Sequence, residues 1–167
     1  MSKSAPELTP QQLGEIAKTF GTPVYIYNAD RIAIQYKKLQ TAFKDCNARF
    51  FYACKALTNI NVLKYMHSLG ANLDCVSINE VLLGLKAGFE PKNILFTPNC
   101  VDFDEYITAK DLGVNINIDN ISILEQFGNT FGSSYPVVIR LNPHIMAGGN
   151  FKIFTRDLAS GGRFRAG

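Results

Sequence analysis

Apolar runs recur along the chain with a nearly constant period. They begin at "FFYACKA" (Phe50), "NLDCVS" (Asn72), "ILFTPN" (Ile94), "NINID" (Asn115) and "VVIRLNP" (Val137), at spacings of 22, 22, 21 and 22 residues. Most show little polar alternation, as strands covered on both faces do. Between them lie "INVLKYMHSLG", "NEVLLGLKAG", "FDEYITAKDLG" and "ISILEQFG". In the first of these, Val62, Leu63, Met66 and Leu69 line one face of a 3.6-residue helix. Each helical segment stops at a glycine (Gly70, Gly88, Gly113, Gly128), where a left-handed C-cap belongs.

Strand, helix, glycine and strand at constant spacing predict βα units and a parallel sheet. A doubly wound sheet would carry a glycine-rich turn after its first strand. Here that turn is "KALTN". The even period instead favours a (β/α) barrel of the TIM type, with five of its eight strands present. Upstream, "TPVYIYN" reads as one more strand, at Val24 to Tyr27, pairing outside the barrel. The helix that follows presents Ile32, Tyr36, Leu39 and Phe43 as its apolar stripe.

Lys55 ends the first strand of the repeat. Side chains alternate, so Phe51, Ala53 and Lys55 share a face, with Phe50, Tyr52 and Cys54 on the other. If the first face points into a barrel, Lys55 stands at the C-terminal mouth, where barrel active sites are built. A lysine desolvated by aromatic neighbours gives up its proton more easily and becomes a nucleophile toward aldehydes. The plainer alternative is a lysine snorkelling outward from a strand end.

Composition narrows the setting. The 167 residues carry 17 basic and 14 acidic side chains, a net charge of +3, and are 47% hydrophobic. That suits one globular domain and gives no reason to invoke nucleic acid or membrane. No apolar run approaches the roughly 20 residues of a membrane helix. "MSKSAPELTPQQ" is not a secretory signal, which makes the cytoplasm the expected location. The cysteines Cys46, Cys54, Cys75 and Cys100 include no CxxC, and His67 and His144 are the only histidines. The expectation is four reduced cysteines and no zinc site.

"FFYACKALTN", "GANLDCVSINEVLLGLKAGF", "ILFTPNC" and "VVIRLNPHI" together resemble the N-terminal barrel of the fold-type III, alanine-racemase-like decarboxylases that use pyridoxal 5'-phosphate (PLP). The diaminopimelate decarboxylase branch is the nearest. The resemblance runs from about Phe20 to Lys152 and implies three segments. These are an extension (1–19), a partial PLP-binding barrel (20–153) and a divergent tail (154–167). It implies decarboxylation of meso-diaminopimelate to lysine, a small amino-acid substrate, and a homodimer in the full-length family.

Residue by residue, the resemblance makes Lys55 (Tyr-Ala-x-Lys-Ala) the lysine that carries PLP. It puts Asp74, Glu80 and Arg140 at the cofactor, and Asn99 less firmly. Taken alone, Asp74 could cap the next helix, and Glu80 could be a first-turn acid favoured by the macrodipole. Arg140, on a strand face with Val138, could belong to a structural ion pair. Asn99 sits where asparagine is ordinary turn chemistry.

The chain departs from the family after "NPHIMAGGNFKI", ending in "FTRDLASGGRFRAG" without a Lys-Phe-Gly motif. The ring-stacking histidine, the glycine-rich phosphate loop, the glutamate facing the pyridine nitrogen and the C-terminal domain are expected beyond that point. Gly148 and Gly149 come too early to replace the phosphate loop. On this reading the chain alone is poorly stable, with open edges on its first and fifth barrel strands, and is inactive. Three alternatives stand beside it. One is a related decarboxylase for ornithine, arginine or carboxynorspermidine. Another is a non-catalytic PLP carrier. The third is a nucleic-acid-binding tail using Arg156, Arg163 and Arg165.

Overall fold

A computed structural model describes residues 7–141 and 163–165. The chain divides into two compact units, Met1–Arg49 and Phe50–Gly167. The segments holding His144, Gly148, Gly149 and Arg156 lie outside the described residues.

The first unit holds two helices, α1 (Pro10–Phe20) and α2 (Ala29–Ala42), neither with a buried residue. A capping box starts α1: the Thr9 side chain accepts from the Gln12 amide, and the Gln12 side chain accepts from the Thr9 amide. The sequence reading treated residues 1–19 as an extension and passed over this T-x-x-Q signal. The strand expected at Val24 to Tyr27 does not form: the segment is irregular, with Tyr25 88% exposed. A strand exists only where a ladder partner does, and no other strand lies in this unit's described residues.

The second unit holds the repeat. Its strands are β1 (Phe51–Ala53), β2 (Asn72–Cys75), β3 (Ile94–Phe96), β4 (Asn115–Ile118), β5 (Val137–Arg140) and β6 (Arg163–Arg165). The helices between them are α3 (Ile60–Ser68), α4 (Ile78–Ala87), α5 (Phe103–Asp111) and α6 (Ile121–Phe131). The strands run in sequence order across one sheet, the first five parallel. This is an open arc of a (β/α) barrel. β6 lies antiparallel on β5, so the edge of the fifth strand, expected to be open, is paired. The divergent tail thus contributes a strand.

Register fixes which residues share a face. Tyr52 pairs with Leu73, Leu73 with Ile94, Phe96 with Ile116, and Ile116 with Val137. This face meets the helices: Gly84 of α4 lies so close to Leu73 that a Cβ there would collide with Leu73 Cδ2. Phe96 meets the Tyr106 ring of α5 edge-on at 5.8 Å. Leu73, Ile94, Phe96, Ile116 and Ile118 are at most 1% exposed and form the core with Leu63, Val81 and Phe127.

Three of the four predicted glycine stops hold, with Gly70, Gly88 and Gly113 at φ of 83°, 105° and 74°. The fourth does not. α6 runs through Gly128 to Phe131 and stops before Gly132, which has φ 60°. A glycine inside a helix costs only about 0.5–1 kcal/mol. Continuing the helix stacks Phe131 on Phe103 and brings it to 4.7 Å from Phe127.

Candidate active site

The opposite face of the sheet carries the chemistry. Ala53 pairs with Asp74, Asp74 with Leu95, and Asn117 with Val138, which places Arg140 on this face as well. The face it was expected to share with Val138 is therefore observed. Asp74, Thr97, Asn117 and Arg140 lie at or near the C-terminal ends of successive strands, as the mouth of a (β/α) barrel requires.

Lys55 reaches the mouth differently from the expectation. Strict alternation ends at Ala53, because Cys54–Ala56 form one 3₁₀ turn closed by Leu57 N–H donating to the Cys54 carbonyl at 3.1 Å. The Tyr52 hydroxyl donates to the Leu57 carbonyl at 3.4 Å and holds the same loop. Cys54 is fully buried and Lys55 is exposed. The aromatic desolvation expected of Lys55 is therefore absent among the described residues, since the turn lifts its side chain off the strand face. No described residue pairs with its ammonium group.

Asp74 accepts a 2.7 Å hydrogen bond from the Thr97 hydroxyl, one strand over. Farther along the mouth, Arg140 Nη1 lies 3.3 Å from Asn99 Oδ1. With its oxygen toward Arg140, the Asn99 amide accepts from the guanidinium. Turned over, it donates to Asp119 Oδ2 at 3.1 Å and to the Pro98 carbonyl at 3.2 Å. The first orientation links the end of β3 to that of β5, and the second links it to that of β4. Asn117 is 2% exposed, and among the described residues neither polar atom of its amide has a partner.

Glu80 sits in the first turn of α4. Ser77 caps that helix by accepting from the Glu80 amide at 3.3 Å. The Glu80 carboxylate reaches back and accepts from Val76 N–H at 2.8 Å. Glu80 is thus a first-turn acid of α4, and its carboxylate also fixes the turn that follows Asp74. A carboxylate oxygen of Glu80 and the sulfurs of Cys54 and Cys75 all lie within 4.8 Å of one another. The hydrogen bond from Cys75 holds the Cys54 thiol below its ordinary range, against burial and the Glu80 and Asp74 carboxylates. The same bond, followed by burial, pushes Cys75 upward.

Sequence reasoning missed this cysteine pair, along with Thr97, Asn117 and Asp119. A signal for the pair was present. Register partners stand 21 apart at β1–β2 and β2–β3, as 73 − 52 and 94 − 73 show, and Cys54 and Cys75 share that separation. A search confined to CxxC spacings does not look there.

Comparison with known proteins agrees with the fold. The family described as "Pyridoxal-dependent decarboxylase, pyridoxal binding domain" matches residues 29–157. The diaminopimelate decarboxylase of Methanothermobacter thermautotrophicus is 40% identical over 136 residues, 80% of this chain and 32% of that protein. The crystal structure of the Helicobacter pylori diaminopimelate decarboxylase complexed with L-lysine is similar at a TM-score of 0.72 and 31% identity. It covers 80% of this chain and 35% of that one. The lysine/ornithine decarboxylase of Vibrio vulnificus, complexed with putrescine, shares the fold at a TM-score of 0.71 and 24% identity, covering 81% of this chain and 38% of that one. The chain spans about a third of the length of the curated relatives it matches. With the family's model matching residues 29–157, most of this chain, the chain belongs to the PLP-dependent decarboxylases through their pyridoxal-binding domain.

Proposed function

We propose that this chain supplies the lysine side of the cofactor site in a PLP-dependent decarboxylase that converts meso-diaminopimelate to lysine. The observation that carries the reading is the Lys55 amine in the turn after β1, unpaired among the described residues, at the same ends of the strands as Asp74, Asn99 and Arg140. The choice of substrate rests on relatives named diaminopimelate decarboxylase at 30–40% identity.

The residues present suit the group. A primary amine matches an aldehyde, a guanidinium matches an anionic substituent, and the buried Asn117 amide leaves a donor and an acceptor open on the same face. When bound, PLP supplies an electron sink for the pair left by the departing carboxylate. The chain's own residues orient and tune. Lys55 provides the amine, free of competing partners among the described residues. The Thr97 hydroxyl holds one oxygen of the Asp74 carboxylate at the end of β2. Arg140 is steadied through Asn99 when that amide turns its oxygen toward the guanidinium. Glu80 serves from behind by holding the turn after β2. A homodimer and a cytoplasmic setting belong to the same proposal.

The test is borohydride reduction of the chain with PLP, followed by peptide mapping. Selective labelling of Lys55, lost in Lys55→Ala and diminished by meso-diaminopimelate more than by ornithine, is expected. Labelling spread evenly over the lysines would sink the assignment.

A further inference from the structure

The sheet has a second cluster of reactive groups, on its helix-facing side. Cys54 follows β1, Cys75 ends β2, and Glu80 opens α4, so three separate elements converge on one point. Both cysteines are 0% exposed. We propose that Cys54, Cys75 and Glu80 form a structural binding site for a borderline-soft divalent cation of the zinc type, clipping β1, β2 and α4 together.

The geometry suits such an ion. Zinc–sulfur bonds of about 2.3 Å at tetrahedral angles put two sulfurs about 3.8 Å apart, with a carboxylate oxygen slightly nearer. The three ligand atoms already lie within 4.8 Å of one another, so closing on an ion takes shifts of only about 1 Å. Two sulfurs select against magnesium and calcium, which take oxygen ligands.

The surroundings are those of a ligand set. Val76 N–H holds Glu80 Oε2 at 2.8 Å, which orients the carboxylate and leaves its other oxygen available. The cluster stands at the N-terminal end of the ten-residue α4, where the helix dipole favours the negative charge of thiolates and carboxylate. Binding one M²⁺ displaces the two thiol protons to solvent and leaves two metal–thiolate bonds and one metal–carboxylate bond. A water molecule or the second carboxylate oxygen completes four-coordination. This site lies on the face opposite Asp74 and Arg140, and it stands or falls independently of the decarboxylase reading.

The test uses the full chain, stripped of metal and kept reduced. Titration with Zn²⁺ against a chromophoric chelator should give one equivalent per chain. Co²⁺ should give thiolate-to-cobalt charge-transfer absorption that Zn²⁺ abolishes. Cys54→Ala and Cys75→Ala should each lose the band and weaken uptake at least 100-fold, and Glu80→Gln should weaken it about tenfold. The exposed cysteines Cys46 and Cys100 serve as the control: the double variant C46A/C100A should bind within twofold of the unaltered chain. If Cys54→Ala or Cys75→Ala fails to fold, the unaltered chain and C46A/C100A still decide. The proposal is overturned if the unaltered chain shows no charge-transfer band, or if the band is lost in C46A/C100A. Uptake that survives both buried-cysteine substitutions overturns it as well.

Discussion

The two faces of the sheet are one residue apart on every strand and obey different rules. On the helix side, Leu73, Cys75, Ile94, Phe96, Ile116 and Ile118 are buried and, but for the sulfur of Cys75, wholly hydrocarbon. On the other side β3 and β5 run from apolar to polar toward their C-terminal ends, and β2 and β4 are polar throughout. Leu95 gives way to Thr97 and Val138 to Arg140, while Asn72 and Asp74 share β2 and Asn115 and Asn117 share β4. The first face is selected for volume and the second for donors and acceptors placed in one layer. The hydrophobic energy that fixes the strands therefore also sets the spacing of the polar groups at the mouth. Their positions are inherited from the core behind them.

The largest test of that division is Phe96→Ala. Phe96 is fully buried and touches the Tyr106 ring. The substitution should cost about 3–5 kcal/mol in urea denaturation, the usual range for removing a buried phenyl group. A loss below about 1 kcal/mol would mean that the helix face is loosely packed and that the distinction between the faces fails.

A smaller effect comes from Tyr106, on the same side. Burial first, then the Asp119 and Glu105 carboxylates, push its hydroxyl up to about 12. An unfolded tyrosine titrates near 10. The folded chain therefore keeps this proton longer than the unfolded chain. The associated stability is complete below about pH 10 and is lost as the pH rises through about 12, by at most about 2–3 kcal/mol. Tyr135 and Tyr36 are also raised by burial and add to the slope in the same direction. Denaturation midpoints at pH 9.5 and 11.5 should separate in the unaltered chain and draw together in Tyr106→Phe. An unchanged separation in the variant would assign the whole slope to other groups.

How far the sequence revealed all this differs between the faces. The helix side was legible because burial leaves a periodic trace: five strands fell where the apolar runs began, and three glycines ended helices as expected. Gly128 misled because aromatic packing of Phe127 and Phe131 outweighs a glycine's local preference. The Val24 to Tyr27 segment misled because a strand-like composition cannot supply a ladder partner. On the mouth side, Asp74, Arg140 and Lys55 were singled out mainly through a family motif. The exposure of Lys55 was not legible, because it depends on a single 3₁₀ turn. The Asp74–Thr97 bond and the Cys54–Cys75 pair depend on register across strands, which a linear reading reaches only by counting in steps of one repeat.

The smallest and most discriminating effect concerns Asn117, a polar residue buried as deeply as the core. Among the described residues its amide has no partner for either atom, although the residue is 2% exposed. Leucine has the same number of side-chain heavy atoms in the same branched shape. Replacing an unsatisfied buried donor and acceptor by apolar groups of that shape removes a desolvation penalty of about 1–3 kcal/mol. Asn117→Leu should therefore leave the ligand-free chain equally stable or more stable, by up to about 2 kcal/mol in urea denaturation. If the amide belongs to the ligand-facing layer, the same variant should weaken PLP retention at Lys55, read as a lower yield of the borohydride-fixed adduct. A stability loss in Asn117→Leu would mean that the amide is already satisfied in the folded protein, by water or by residues beyond those described. Asn117 would then belong with the residues that hold the sheet, and the polar layer at the mouth would begin at Thr97 and Asp119.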